Sequence, residues 1–213
     1  MTARELSAIA KKVNCLLPDY TLKGSLLFKL TPEAILLGLC FDGSSRDSRL
    51  FRGNAFLLPL FVPTETIHFN YSKRITPKIG QWNADDPNLV DALTAAIRNE
   101  GIPFFDAVST LKDAADFIRP MLVPNVSGYV NPHSQEALAY TLIKLNDVPG
   151  ALAVLSQMQK TLTKSTVEWE LAIAARARTV EQKLLESPAT ALAQLDTWKD
   201  QTIRQLKLEN YRS

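Results

Sequence analysis

The chain has 213 residues, of which 46% are hydrophobic and 22% charged, with 24 basic and 22 acidic side chains. That composition excludes a disordered chain, and the near balance of charge removes the positive surplus that favours binding to DNA or RNA phosphates. The balance holds locally: residues 1–118 carry 13 basic and 13 acidic groups, and residues 119–213 carry 11 and 9.

The first predicted element is an amphipathic helix up to Pro18. Thr2 and Glu5 form a capping-box pattern, and Leu6, Ile9, Val13 and Leu16 recur on one face. Charges inside this segment distinguish it from a signal peptide, and the longest apolar run, near residues 34–41, is too short to span a bilayer. The expectation is a cytoplasmic protein with no membrane partner. Cys15 and Cys40 both sit in apolar surroundings and are predicted to be buried, reduced thiols.

Four strands are expected next. In residues 21–30, Leu22, Leu26, Phe28 and Leu30 alternate with other residues, and residues 34–42 are almost continuously apolar. Residues 42–53 read as a polar loop rich in Gly and Ser. Residues 54–62 form a third strand, with Pro59 favouring an edge or a bulge. Ile67, Phe69 and Tyr71 alternate in a fourth. Short connections without intervening helices predict an antiparallel meander. Asp86 as N-cap, Pro87 after it, a stripe of Leu89, Val90, Leu93 and Ile97, and a stop at Gly101 predict a helix. One or two short helices follow between Phe104 and Ile118.

Residues 119–134 contain Pro120, Pro124 and Pro132 and read as a linker. Beyond it everything reads helical. Helices over residues 136–146 and 151–162 flank a turn at Asp147-Val148-Pro149-Gly150. A long helix over 166–186 has Val167, Leu171, Ala174 and Leu185 at core-like positions. A last helix starts at Ser187-Pro188 and carries Leu192, Leu195, Thr202 and Leu206, with Trp198 alongside. The fold class expected is therefore α+β. A four-stranded antiparallel meander with helices occupies residues 1–118, and about four helices over residues 135–208 pack on it.

Within residues 134–163, the run of Leu138, Ala139 and Leu142, then Lys144-Leu145-Asn146-Asp147, then Ala151, Leu152 and Leu155 resembles one tetratricopeptide unit. The resemblance implies two antiparallel helices approaching closely at Ala139 and Ala151. It departs from the family where Gln135 replaces the usual aromatic and Thr163 the closing proline, and no second copy follows. No family is recognised over the whole chain.

The chemistry-bearing residues are sparse. His68 and His133 are the two histidines; they are far apart in sequence and belong to no ligand-spaced pair, so neither a metal nor a cofactor is expected. Glycine-rich phosphate loops and the nucleophile-elbow motif are missing. Arg46, Arg49 and Arg52 recur at three-residue spacing, and Lys73, Arg74 and Lys78 form a second basic group. On a helical turn the arginines would share a face and fit carboxylates or phosphates, and the two groups together would line one end of the sheet. Trp82 lies in a polar stretch and is expected to be an exposed contact residue. These features predict a non-catalytic binding or adaptor protein that meets an acidic protein partner through Arg46, Arg49, Arg52, Lys73, Arg74 and Trp82. The alternative is an enzyme whose site assembles only in three dimensions around His68, Asp42 and the loop arginines.

Overall fold

A computed structural model describes residues 1–77, 80–124, 126 and 129–211. The fold is α+β, an antiparallel sheet with its helices followed by a helical C-terminal part. Contacts divide the chain into two units. Met1–Leu58, Tyr71–Ser109 and Tyr211 form the sheet unit; Pro59–Asn70 and Thr110–Asn210 form the helical unit. The boundary at Ser109 precedes the proline-containing stretch 119–134, and a twelve-residue excursion from the sheet belongs to the helices.

In the sheet unit, α1 (Ala3–Val13) starts with the expected capping box. Thr2 Oγ1 accepts the Glu5 N–H, and the Glu5 carboxylate accepts the Thr2 N–H at 2.6 Å. Its apolar face buries Leu6, Ile9 and Val13 over β1 (Thr21–Lys23), β2 (Leu26–Leu30) and β3 (Ile35–Gly43). Cys15 is exposed, contrary to expectation, because the chain tightens into a 3₁₀ turn at Asn14–Leu16 and the α-helical phase is lost. Cys40 is half-buried, and its burial pushes the thiol pKa up to about 11.

Among the described residues the sheet has six strands where four were expected. The others are β4 (Leu50–Pro59), β5 (Ser72–Ile75) and β6 (Trp82–Asn83). The order is β1-β2-β3-β4-β5, with β6 also pairing with β4. The expected first strand is split by Gly24, whose φ of 61° makes the tight turn between β1 and β2. The expected strand at 67–71 is displaced: pairing with β4 starts at Phe56↔Ser72, because residues 59–70 serve the other unit. The polar loop is shorter than expected, since β3 runs to Gly43 and β4 starts at Leu50. Leu27, Ile35, Leu36, Leu39, Phe56 and Leu57 have no solvent-exposed surface, and each is worth about 1.5–3 kcal/mol of apolar burial. Gly38 is small by necessity, because a Cβ there would run into the Phe56 ring.

The helix expected from Asp86 begins later. Asp86 accepts the Asn88 N–H in a local turn, and α2 covers Leu89–Ala96. Gly101 does not stop it. A π-helical turn at Ile97–Gly101 leads directly into α3 (Ile102–Asp106), and the Ile102 N–H bonds back to Ile97 O. Pro103 has no N–H to give, and the wider turn accommodates it.

The helical unit comprises α4 (Leu111–Ile118), α5 (Pro132–Lys144), α6 (Val148–Leu162), α7 (Glu168–Glu186) and α8 (Pro188–Gln205). Capping oxygens come from Thr110, Asn131, Asp147 and Ser187. The helix α5 is central: Ser134 to Ile143 are all buried, and it packs against α4, α6, α7 and α8. Ala139 and Ala151 are fully buried where α5 meets α6. The excursion inserts Leu60, Phe61 and Val62 into this core, with Thr202 Oγ1 donating to Val62 O. In α7 the phase differs from the one expected. Ile173, Ala174, Ala177, Val180 and Leu184 are buried, whereas Val167, Leu171 and Leu185 are 44%, 45% and 70% exposed. Two apolar stripes compete on this helix, and the alanine-bearing one permits the closer approach. Among the described residues, no helix is long and apolar enough to cross a membrane.

A cut engineered between α4 and α5 would leave α4 and residues 59–70 on one fragment and α5–α8 on the other. It would divide the helical core and leave the boundary between the units intact. The two fragments are expected to co-elute by native size-exclusion chromatography and to separate only in denaturant. Two folded fragments eluting independently would show that α5–α8 need neither piece.

Candidate functional site

The sheet unit holds the basic residues singled out in the sequence. Arg46, Arg49, Arg52, Lys73 and Arg74 are all exposed. Arg52 lies on β4 and not in a loop. It alternates with buried Phe51 and Gly53, so it shares the opposite face with Asn54. Asn54 stands across from Arg74, which places Arg52 and Arg74 on one face of the sheet margin. Arg46 and Arg52 line a recess of about 360 Å³ with Ser44, Ser45, Leu50 and Gln81. Ser44 Oγ accepts the N–H groups of Arg46 and Asp47 and so fixes the turn that carries Arg46.

Arg49 is different. Its Nε and Nη2 donate to the two carboxylate oxygens of Asp47 at 3.2 and 3.1 Å, and these bonds hold the Asp47 carboxyl below its ordinary pKa. Among the described residues, Arg46, Arg52 and Arg74 form no ion pair. Lys78 lies outside the described residues. Trp82 is not a surface contact: it is 4% exposed and its indole N–H donates to Ile75 O at 2.8 Å. Pairing of Phe51 with Trp82 turns the ring inward, where it stacks on Phe51. A second recess in this unit, about 400 Å³, lies beside Leu17, Tyr20, Leu37 and Phe105. Its rim pair, Lys29 with Asp19, is exposed and mutually satisfied at 3.6 Å.

The helical unit holds a constellation that the sequence did not reveal. Glu136 on α5 is fully buried. Its two oxygens accept from Arg176 Nε and Nη2 of α7 at 2.7 and 2.9 Å, and Tyr140 OH donates to Oε1 at 3.2 Å. Tyr140 is itself fully buried, which raises its phenol well above the ordinary range, and its ring tilts against Trp198 at 5.5 Å. His133, in the first turn of α5, lies parallel to Trp169 at 5.0 Å and 4°. His68 also stands near it, at 6.3 Å between ring centroids and tilted by 37°. Arg176, His133, Trp169 and Trp198 border one cleft of about 410 Å³, with Gln201 and Gln205 along α8 and Thr64 and Glu65 at the lip.

Burial favours the neutral form of both histidines. Burial pushes His68 down to about 4, and a proton on His133 would push in the same direction. Burial also lowers His133, against an opposing pull from Glu136. The cleft is therefore able to stack rings and donate directed hydrogen bonds. Among the described residues, no three His, Cys, Asp or Glu side chains stand close enough together to hold a metal.

His68 belongs to the helical unit and the arginines to the sheet unit. The signals that pointed to the cleft were faint: a lone Glu136 inside an otherwise buried helix, and Trp169 two turns before Arg176.

Replacing Glu136 with Ala would strand the buried end of Arg176 and the Tyr140 hydroxyl, and is expected to cost about 3–5 kcal/mol in urea unfolding. A loss below about 1 kcal/mol would show that the pair is solvated. The histidines set a pH dependence. The unfolded chain takes up protons at His68 below its ordinary pKa of 6.5, whereas the folded chain resists until about 4. The His68 contribution to stability is thus complete above pH 6.5 and is lost as pH drops from 6.5 to 4. In thermal melts across this range, His68→Gln should flatten the decline; an unchanged slope would refute the shift.

Comparison with protein-family models, with curated proteins and with solved structures gives no match for this chain.

Proposed function

We propose that the chain is a non-catalytic binding protein that recognises an acidic protein partner through Arg46, Arg52 and Arg74. The observation that carries this reading is the grouping of these three cations. Arg46 and Arg52 share one recess, Arg74 shares the face of Arg52, and none of the three has a carboxylate partner among the described residues. An exposed guanidinium with no internal partner keeps its donors for carboxylates, which it meets in a planar, two-bond geometry. Arg49 contributes less, because Asp47 already occupies it. Lys73, exposed on the edge strand β5, adds charge to the same margin. The balanced charge of the chain favours a local acidic patch over an extended polyanion.

The test is a titration with a fluorescent peptide of alternating Asp and Glu, set against a single-stranded oligonucleotide of similar charge. Replacing Arg46, Arg52 and Arg74 together with Ala should leave the melting temperature nearly unchanged, since exposed substitutions cost less than about 0.5 kcal/mol each. It should weaken peptide binding several-fold, with the difference shrinking as salt rises. Equal peptide binding by the two proteins would overturn the proposal, as would a preference for the oligonucleotide.

A further inference from the structure

The cleft of the helical unit has the marks of a built ligand site. Trp169 is 43% exposed, yet its ring lies flat against His133. Trp198 rests on buried Tyr140, and Arg176 is gripped along one edge by fully buried Glu136. Three side chains that line one cleft thus each contact a buried or half-buried neighbour. Such support is what preorganises a binding site, because little side-chain freedom remains to be lost on binding. It is also more than stability demands, since apolar residues would fill the same core as well as the ion pair does.

Helix geometry explains the layout. Trp169, Ala172, Ile173 and Arg176 recur at three- and four-residue spacing along α7; Trp198, Gln201 and Gln205 do the same along α8. Each stripe offers indole and apolar surface together with planar hydrogen-bonding groups.

The electrostatics of the cleft select the class of ligand. The Arg176 charge is matched one-to-one by Glu136, and burial disfavours a charge on His133. An anion such as a nucleotide phosphate would find no uncommitted cation here. A cation would meet the guanidinium, with Glu65 at the lip as its one carboxylate among the lining residues. What remains is neutral and directional: two amide side chains that each donate and accept, and the exposed margin of Arg176. Amides and a guanidinium pair naturally with adjacent hydroxyls, and an exposed indole face suits the C–H face of a sugar ring. The volume, about 410 Å³, falls in the range of small-ligand pockets.

We propose that the cleft bordered by Trp169, Trp198, Arg176, Gln201 and Gln205 binds a neutral saccharide, stacked on Trp169 and hydrogen-bonded by the two glutamines and Arg176.

The full chain would be titrated with maltotriose, cellotriose and chitotriose by calorimetry and by tryptophan fluorescence, with adenosine as a flat heteroaromatic control. At least one trisaccharide is expected to bind with millimolar or better affinity and to perturb the fluorescence. Trp169→Ala should weaken that binding about tenfold or more, the scale of a lost stacking platform. Gln201→Ala, an exposed change that spares the core, should weaken it several-fold while circular dichroism and the melting temperature stay as in the parent. Silence with all three trisaccharides would overturn the proposal. So would sugar binding indifferent to both substitutions, or a response to adenosine alone.

Discussion

A single carboxylate organises the helical unit. Glu136 is removed from water at the start of the second turn of α5, where an unpaired charge would be prohibitive. Its partners come from two places: Tyr140, one turn along the same helix, and Arg176, forty residues away on α7. Meeting both donors fixes the register of α7 against α5, because a shift of one residue would swing the guanidinium away. The fixed guanidinium then borders the cleft together with His133, which sits one turn before Glu136. The buried pair thus specifies position more than it adds stability, a use for which such pairs are suited.

The sheet unit solves a different problem with charge. β5 is an edge strand, and an edge offers unpaired backbone groups to any passing chain. Lys73 and Arg74 are exposed along it, and Arg52 continues the positive margin onto β4. Charge of one sign at an edge discourages two copies from pairing strand to strand. The same residues that would greet an acidic partner therefore also keep the sheet from extending, and the two roles place no conflicting demand on the side chains.

Local rules were read correctly where the local energy is decisive. Thr2 and Glu5 form their capping box, and Ser187-Pro188 starts α8, because those bonds close within three residues. Strands β3 and β4 declared themselves by apolar content. The misreadings occur where distant partners decide. Trp82 sits among polar neighbours in sequence but pairs with Phe51, so its ring turns inward. Residues 67–70 have strand-like alternation yet serve the helices. On α7, two apolar stripes fit the helical period, and only the neighbouring helices choose between them. Glu136 with Arg176, and His68 with His133, are separated by dozens of residues; no spacing rule links them.

The excursion at residues 59–70 carries a cost during synthesis. Val62 receives its hydrogen bond from Thr202, 140 residues later. Contacts of such sequence separation form slowly, since a long loop must close before they contribute. At roughly 5–20 residues per second, a ribosome needs roughly 7–30 s to make that stretch. Throughout that interval Val62 lacks α8, the helix that carries its donor. The nascent chain therefore presents a short adhesive segment until almost its last helix has emerged, and a chaperone that shields apolar tripeptides would find its natural foothold there.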